Sequence, residues 1–183
     1  MVTALPDVAR VGVRFAASDR LELRGAFDLQ RWSRLEKQCF LDSAVEGRNC
    51  ALAADGSAMP EAKGIVANIP RYWKDSWGVR GGGSYWAARS VRVQGSVGYD
   101  RSPVPDDMLE AGLLDLDKLV VAFGARFVLG AHTQLVTGWT QVFYFARTTA
   151  PAMPLAGPSR VPGNAGHYEQ SVGLFQLALD YTF

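Results

Sequence analysis

The chain has 183 residues, which suits a single domain, and charged residues make up 20% of it with a net charge of +1. This balance excludes a nucleic-acid partner, which would require a basic excess. No apolar run reaches the roughly 18 residues of a membrane-spanning helix. The mean hydropathy of -0.01, the nineteen glycines and the 11% aromatic content are typical of an all-β chain with tight turns.

Apolar and polar residues alternate along most of the chain, as they do in strands with two unlike faces. The alternation predicts seven strands, at about 8–17, 20–32, 71–87, 90–101, 116–128, 133–147 and 168–183. The last strand alone is compatible with either a soluble sandwich or a membrane barrel. In the strand at 133–147, Trp139 and Phe143 suit one face whereas Val142 and Tyr144 suit the other, which leaves room for a bulge.

The connections between these strands are alternately short and long, and the long ones cover about 33–70, 102–115 and 148–166. Outer-membrane barrels have short periplasmic turns and long extracellular loops, so we expect the three long connections to lie outside. This orientation places two aromatic girdles: Phe15, Tyr85, Phe127, Tyr181 and Phe183 at the periplasmic rim, and Trp77, Tyr99 and Tyr144 at the outer rim. The sequence therefore predicts an antiparallel, up-and-down membrane β-barrel wall formed by one domain, 1–183.

Charged residues share the face opposite the apolar one, where a polar lumen would accept them and lipid would not. They are Arg14, Glu22, Arg24, Asp28, Arg80, Arg92, Asp100 and Arg126. The arginines are expected to form a charge ladder with the carboxylates. An alternative role is to receive the carboxylate of a ligand, for which the lumenal candidates are Arg80, Arg92, Arg126 and Trp86.

Cys39 and Cys50 lie in the first long connection. They are either two unrelated thiols or a disulfide that closes a short loop, and an oxidising compartment favours the disulfide. Their spacing, with no histidine nearby, does not predict a metal site.

The sequence does not predict an enzyme, because no Ser-His-Asp or Cys-His order indicates a nucleophile, and it predicts no cofactor. The Arg80 to Gly83 segment lies within a strand and lacks the Lys-Ser/Thr of a phosphate loop. His132 and His167 are expected to be solvated. Acidic residues concentrate in the second long connection, where we expect a solvated loop or, alternatively, a weak divalent site bridging lipopolysaccharide; they are Asp106, Asp107, Glu110, Asp115 and Asp117.

Several motifs in this order resemble the C-terminal half of the outer-membrane long-chain fatty-acid transporters (FadL-like family). The most specific is Tyr99-Asp100-Arg101-Ser102-Pro103-Val104-Pro105. The weaker ones are Leu5-Pro6-Asp7, Trp32-Ser33, Trp73-Lys74-Asp75-Ser76 and Asp115-Leu116-Asp117. Together they cover nearly the whole chain.

The resemblance implies passive uptake of long-chain fatty acids or other hydrophobic compounds across the bacterial outer membrane. The alternative is a small structural barrel or adhesin without transport activity. Expected partners are outer-membrane lipid, a hydrophobic small molecule and, through the C-terminal strand, the barrel-assembly machinery.

We also expect an incomplete wall. Met1 to Pro6 carry no signal peptide, and the family's plug segment and first half of the wall have no counterpart here. An odd number of strands does not suit a bacterial barrel, so the sequence predicts an open part of a wall of about fourteen strands.

Overall fold

The computed structural model describes residues 4–151, 154–161 and 165–182. The seven long strands are β1 (Asp7–Ala16), β2 (Leu21–Arg31), β5 (Ser76–Ala88), β6 (Val91–Asp100), β7 (Lys118–Val128), β8 (Thr133–Tyr144) and β11 (Ser171–Tyr181). They form one antiparallel sheet in the order β1-β2-β5-β6-β7-β8-β11. Each pairs with its sequence neighbour among the seven, so the predicted up-and-down wall is confirmed.

The sheet is open in the part of the chain that the structure describes. The first strand, β1, pairs with β2, and the last, β11, pairs with β8. They are the two edges of the sheet order and do not pair with each other. No helix among the described residues is long and apolar enough to cross a membrane.

The two faces of the sheet differ as the alternation predicts. The face that we call the outer face exposes large apolar side chains on every strand, among them Val11, Phe15, Phe27, Val97, Phe123, Phe175 and Leu179. A soluble protein rarely exposes so large an apolar surface, whereas lipid requires one. The other face, called here the inner face, carries the charged residues of the first four strands.

The long connections contain more structure than the sequence predicts. The first contains a hairpin of β3 (Lys37–Leu41) and β4 (Ile65–Pro70), and the third contains the pair β9 (Arg147–Thr149) and β10 (Gly166–Tyr168). Short 3₁₀ turns occur at Trp32–Arg34 and Asp106–Met108. The predicted strands at 71–87, 133–147 and 168–183 were therefore too long, because their outer ends belong to these connections.

The bulge considered for the strand at 133–147 was wrong. Its residues pair with both neighbouring strands without a register shift. Trp139 and Phe143 lie on the outer face, and Val142 lies on the inner face because that face is apolar here. The register shift in the sheet falls instead in β5, between Trp86 and Ala88.

The hydrophobic core lies in the long connections rather than in the sheet. The buried cluster consists of Leu35, Trp73, Val104, Met108, Leu109 and Leu116, which come from the first and second connections. Val161 and Tyr168 of the third connection pack against it. The described residues of 32–75, 101–117 and 145–170 thus form one folded unit, which we call the loop cap.

Polar contacts also join the three connections of the loop cap. Arg71 Nη1 donates to Glu110 at 2.7 Å, and Arg147 binds Asp106. The backbone N–H of Asn68 donates to the carbonyl of Pro158 at 2.9 Å. Shared hydrogen bonds of this kind, in addition to the core, hold the connections in one arrangement.

Candidate functional site

The inner face is concave, and its centre is a groove of about 740 Å³ that extends from Gly12 on β1 to Gln176 on β11. This volume lies within the range of sites that hold small organic molecules, about 300–1,000 Å³. The groove crosses two chemically different halves of the wall: a charged half on β1, β2, β5 and β6, and a mostly apolar half on β7, β8 and β11.

The part of the charged half nearer the loop cap contains a network of hydrogen bonds and ion pairs centred on Arg80. Its guanidinium donates to Asp28 at 2.5 Å and to Asp100 at 2.6 Å. Asp28 is fully buried and also accepts from the Gln30 amide at 2.9 Å. A buried carboxylate is tolerated because its charge is paired and its oxygens are hydrogen-bonded.

Gly78 makes this network sterically feasible. It lies between Asp28 and Asp100 in the register of the sheet. A Cβ atom at Gly78 would come within 2.3 Å of Asp100 Oδ1. The missing side chain therefore leaves the space in which two carboxylates approach one guanidinium.

A second network lies nearer the short turns and has an excess of positive charge. Glu22 forms ion pairs with Arg14 and Arg24, and Arg92 lies 3.6 Å from the same carboxylate. Arg92 also donates to the Ser84 hydroxyl at 2.5 Å. Three guanidinium groups thus share one carboxylate, which leaves a net positive field on this part of the inner face.

Arg126 extends this positive field to the boundary of the charged half. It faces Arg92 across one strand pair and Val136 across the other. Its side chain is exposed, and within the described ranges it has no ion pair or hydrogen bond. Arg126 is therefore a charged group with its donors available to the groove.

The remaining half of the inner face, on β7, β8 and β11, is mostly apolar. We call it the apolar strip, defined by Val120, Ala122, Val136, Val142, Val172, Leu174 and Ala178. Gly124 and Gly138 oppose each other within it. A Cβ at Gly124 would lie 2.7 Å from the Thr137 carbonyl oxygen, so the close approach of β7 and β8 leaves no room for a side chain there.

The four candidate residues of the sequence lie on one face but in different surroundings. Both terminal nitrogens of Arg80 bind carboxylates, and Arg92 is engaged with Ser84 and lies 5.7 Å over the Trp86 ring. Arg80, Arg92 and Arg126 line the groove. Trp86 lines a smaller recess beside the first short turn. The sequence did not identify the apolar strip, because the facing of β8 was unresolved.

Within the part of the chain that the structure describes, the aromatic residues assigned to the two rims lie on the outer face, with one exception. Trp77 and Tyr99 pack with ring centroids 5.4 Å apart, and Phe145 continues this row at 6.1 Å from Tyr99. Phe15, Tyr85, Phe127 and Tyr181 lie at the end with the short turns. Tyr144 is the exception: it lies on the inner face opposite Lys118 and packs against the loop cap. Phe183 falls outside the described residues.

Cys39 and Cys50 form a disulfide with an S–S distance of 2.08 Å. Cys39 is fully buried on β3. The bond therefore links the segment that contains Cys50 covalently to the hairpin of β3 and β4. It lies within the loop cap, away from the groove.

The acidic residues of the second connection mostly have protein partners. Asp115 binds Lys118 at 3.1 Å, and Asp117 accepts from the Tyr99 hydroxyl at 2.8 Å. Glu110 and Asp106 bind the arginines of the loop cap described above. Across the described residues, no group of three or more His, Cys, Asp and Glu side chains could hold a metal ion.

An open antiparallel sheet with an apolar outer face and a charged, grooved inner face defines the wall of an outer-membrane β-barrel. The family described as outer membrane protein transport protein (OMPP1/FadL/TodX) matches residues 1–183, and the chain belongs to this family. It is accordingly a bacterial outer-membrane protein.

A solved structure supports the fold. The crystal structure of a Pseudomonas aeruginosa FadL homologue superposes with a TM-score of 0.70 at 16% sequence identity. The match covers 96% of this chain and 35% of that protein, so the chain spans about a third of the length of its structural neighbour. No curated protein sequence matches this chain.

Proposed function

We propose that this protein takes part in the passive uptake of hydrophobic small molecules, and of long-chain fatty acids in particular, across the outer membrane. The family is one of outer-membrane transport proteins. The observation that carries the proposal is the division of the inner face into a charged half and an apolar strip, with Arg126 at the boundary between them.

The apolar strip provides a surface along which an alkyl chain can move. Val142 and Val172 are register partners on neighbouring strands, and Leu174 follows Val172 on the same face of β11, so a chain crossing them stays in contact with hydrocarbon. Contact of this kind is favourable without being directional, at about 25 cal/mol per Å² of apolar surface removed from water. A ligand can therefore slide rather than stop at one point.

Arg126 gives a fatty acid a second contact. A guanidinium without a protein partner binds a carboxylate with two parallel hydrogen bonds, and Val136 beside it would contact the first methylenes. Arg80 and Arg92 serve this function less directly, because their own carboxylate and hydroxyl partners already hold them. In this proposal they stabilise the wall and supply part of the positive field.

The alternative is a structural barrel or adhesin without transport activity. The saturated Arg80 network favours it, since an interior filled with such ion pairs would block a hydrophobic path. The apolar strip argues against it, because a lumen that holds only water has no need of exposed Val and Leu side chains. An enzymatic role is disfavoured because the family is one of transport proteins.

Uptake by cells tests the proposal. We expect Val142→Gln and Leu174→Gln each to lower the uptake of a radiolabelled long-chain fatty acid about fivefold, for roughly 1 kcal/mol of lost apolar contact. Ala26→Gln, on the charged half of the same face, is the matched control and is expected to leave uptake near the wild-type value. Equal losses in all three variants, at equal amounts of folded protein, would refute a path along the apolar strip.

Arg126→Gln distinguishes recognition of the carboxylate from recognition of the alkyl chain. We expect it to reduce uptake of the fatty acid while the uptake of a neutral alkane of similar length stays unchanged. A parallel fall for both compounds would show that Arg126 supports the wall rather than the carboxylate.

The orientation and assembly of the wall are also proposals. We infer that the loop cap faces the outside and the short turns face the periplasm. The regular alternation of β11, which exposes Phe175, Leu177 and Leu179 on the outer face, supports recognition of this strand by the barrel-assembly machinery.

A further inference from the structure

The outer face changes from apolar to cationic where β2 meets the loop cap. Phe27 and Leu29 are exposed on this face, and Arg31 follows them in the same alternation as the last residue of β2. Asp7, the first residue of β1, lies opposite Arg31 in register. The cationic group therefore stands directly above the lipid-facing side chains.

Two arginines share this one aspartate. Arg34 binds Asp7 at 2.7 Å, and Arg31 lies 3.6 Å from the same carboxylate oxygen. The two arginine side chains remain 57% and 52% exposed, so both guanidinium groups keep donors that face away from the protein. Arg34 is held in position by the 3₁₀ turn, in which the Leu35 N–H donates to the Trp32 carbonyl at 2.8 Å.

Arg101 adds a third guanidinium on the neighbouring strands. Its N–H donates to the Trp77 carbonyl at 3.0 Å, and it follows Tyr99 by two positions, which continues the outer face. It is exposed and has no ion pair within the ranges that the structure describes. Asp75 and Asp117 are the other acids of this area: Asp75 accepts the Ser33 N–H at 3.0 Å, and Asp117 accepts the Tyr99 hydroxyl at 2.8 Å and the Ser102 N–H at 2.7 Å. The carboxylates of this area thus already have partners within the protein, whereas the three guanidinium groups remain exposed.

An aromatic row lies beside these cations. Trp77, Tyr99 and Phe145 pack in sequence on the outer face, and Phe145 is half exposed. Aromatic rings of this kind occupy the boundary between hydrocarbon and headgroups. A lipid whose acyl chains contact the row would hold its headgroup at the level of Arg31, Arg34 and Arg101.

We propose that Arg31, Arg34 and Arg101 bind the phosphate groups of a phosphorylated glycolipid, the lipopolysaccharide of the outer leaflet. Guanidinium groups recognise phosphate with paired hydrogen bonds and are weakly hydrated, which favours such contacts at a membrane surface. The proposal rests on the orientation proposed above, in which the loop cap faces outside. It does not depend on what the groove transports.

The amount of lipopolysaccharide that remains bound after extraction tests this site. The protein is extracted from outer membranes in mild detergent, and lipopolysaccharide phosphate is measured per protein. We expect the triple variant Arg31→Gln, Arg34→Gln, Arg101→Gln to retain less than a fifth of the wild-type amount. A matched triple variant, Arg20→Gln, Arg48→Gln, Arg89→Gln, removes three exposed arginines elsewhere and is expected to retain all of it.

Two outcomes overturn the proposal. The first is that the triple variant of Arg31, Arg34 and Arg101 retains the wild-type amount of lipopolysaccharide, or that the control variant loses an equal amount. Heat-shifted electrophoretic mobility has to show that both variants are folded. The second is equal binding of the protein to vesicles with lipopolysaccharide and to vesicles with its dephosphorylated form. The proposal expects tighter binding to the vesicles with lipopolysaccharide. Full displacement by millimolar inorganic phosphate would instead indicate a site for free phosphate.

Discussion

Replacing Phe123 by arginine tests the assignment of the two faces most directly. Phe123 is the central residue of β7, with five residues of the strand on either side. Its side chain is 62% exposed on the outer face, between Gly95 and Trp139 of the neighbouring strands. Ala122, the residue before it, points to the inner face and provides an adjacent control.

The expected cost follows from the depth of Phe123 in the membrane. An eleven-residue strand at about 3.3 Å per residue is about 36 Å long, and a tilt of about 40° reduces its height to about 28 Å. The apolar band of such walls is about 25 Å tall, so Phe123 lies at its midplane. An arginine there costs about 2–4 kcal/mol, whereas the cost falls to about 0–1 kcal/mol near the interfaces.

Equilibrium unfolding in phospholipid vesicles measures these free energies. Phe123→Ala gives the loss of the aromatic ring, so the difference between Phe123→Arg and Phe123→Ala isolates the charge and is expected to be about 2–4 kcal/mol. Ala122→Arg is expected to stay within about 1 kcal/mol of the wild type, because its guanidinium can reach the water of the groove. Equal costs for Ala122→Arg and Phe123→Arg would contradict the assignment of the inner and outer faces.

Three further predictions concern the loop cap and its orientation. Cys39→Ser opens the disulfide and is expected to remove about 2–3 kcal/mol from the hairpin only, seen as faster proteolysis of the loop cap with an unchanged unfolding midpoint of the sheet; a shifted sheet midpoint would contradict this. An impermeant maleimide added to intact cells is expected to label Ala111→Cys but not Ser18→Cys, and the reverse pattern would invert the orientation. Hydrogen bonds from Ser33, from its side chain first and then its backbone, lower the pKa of Asp75, so its stabilisation is complete above the unfolded pKa of about 3.9 and is lost as the pH falls through the lower folded pKa. Asp75→Asn is expected to weaken the pH dependence of the unfolding midpoint between about pH 5 and 2. An unchanged pH dependence in this range would exclude the contribution of Asp75.

The sheet was largely predictable from the sequence because its physics is local. Each strand has to present apolar side chains to one environment and polar ones to another, so Val93 and Gln94 already differ in the sequence as they do in the structure. The exception is β8, where Trp139 and Val142 are apolar on opposite faces. Alternation does not show which side chains lie on which face where both faces accept apolar residues. The register of β8 with β7 was needed to assign them.

The loop cap could not be predicted in the same way. Leu109 and Leu116 are fully buried, yet they lie in a segment with no period of two or of 3.6. Their burial depends on Trp73 and Leu35, more than thirty residues earlier in the chain. Contacts between three separate connections leave no recognisable pattern in the sequence of any one connection.

The candidate site was predicted in composition but not in detail. The sequence placed Arg80 and Arg126 on the same face, and the structure places both beside the groove. Each arginine has a glycine two residues before it on its own strand, and the two differ in the neighbours of that glycine: Gly78 lies between Asp28 and Asp100, whereas Gly124 lies between Gln94 and Gly138. These neighbours belong to other strands, so the difference is recognisable only when the register is known.

In the orientation proposed above, the shared core of the loop cap has a consequence for how the exterior surface of this protein can diversify. Surface loops vary more in sequence than the elements they connect, and independent loops can change one at a time. Here Leu35, Met108 and Val161 come from three different connections and pack in one cluster. Exchange of a whole connection would remove packing partners from the other two, so we expect sequence change to be confined to exposed tips such as 42–47. Those tips are also the positions at which a foreign peptide could be displayed on the cell without disturbing the wall.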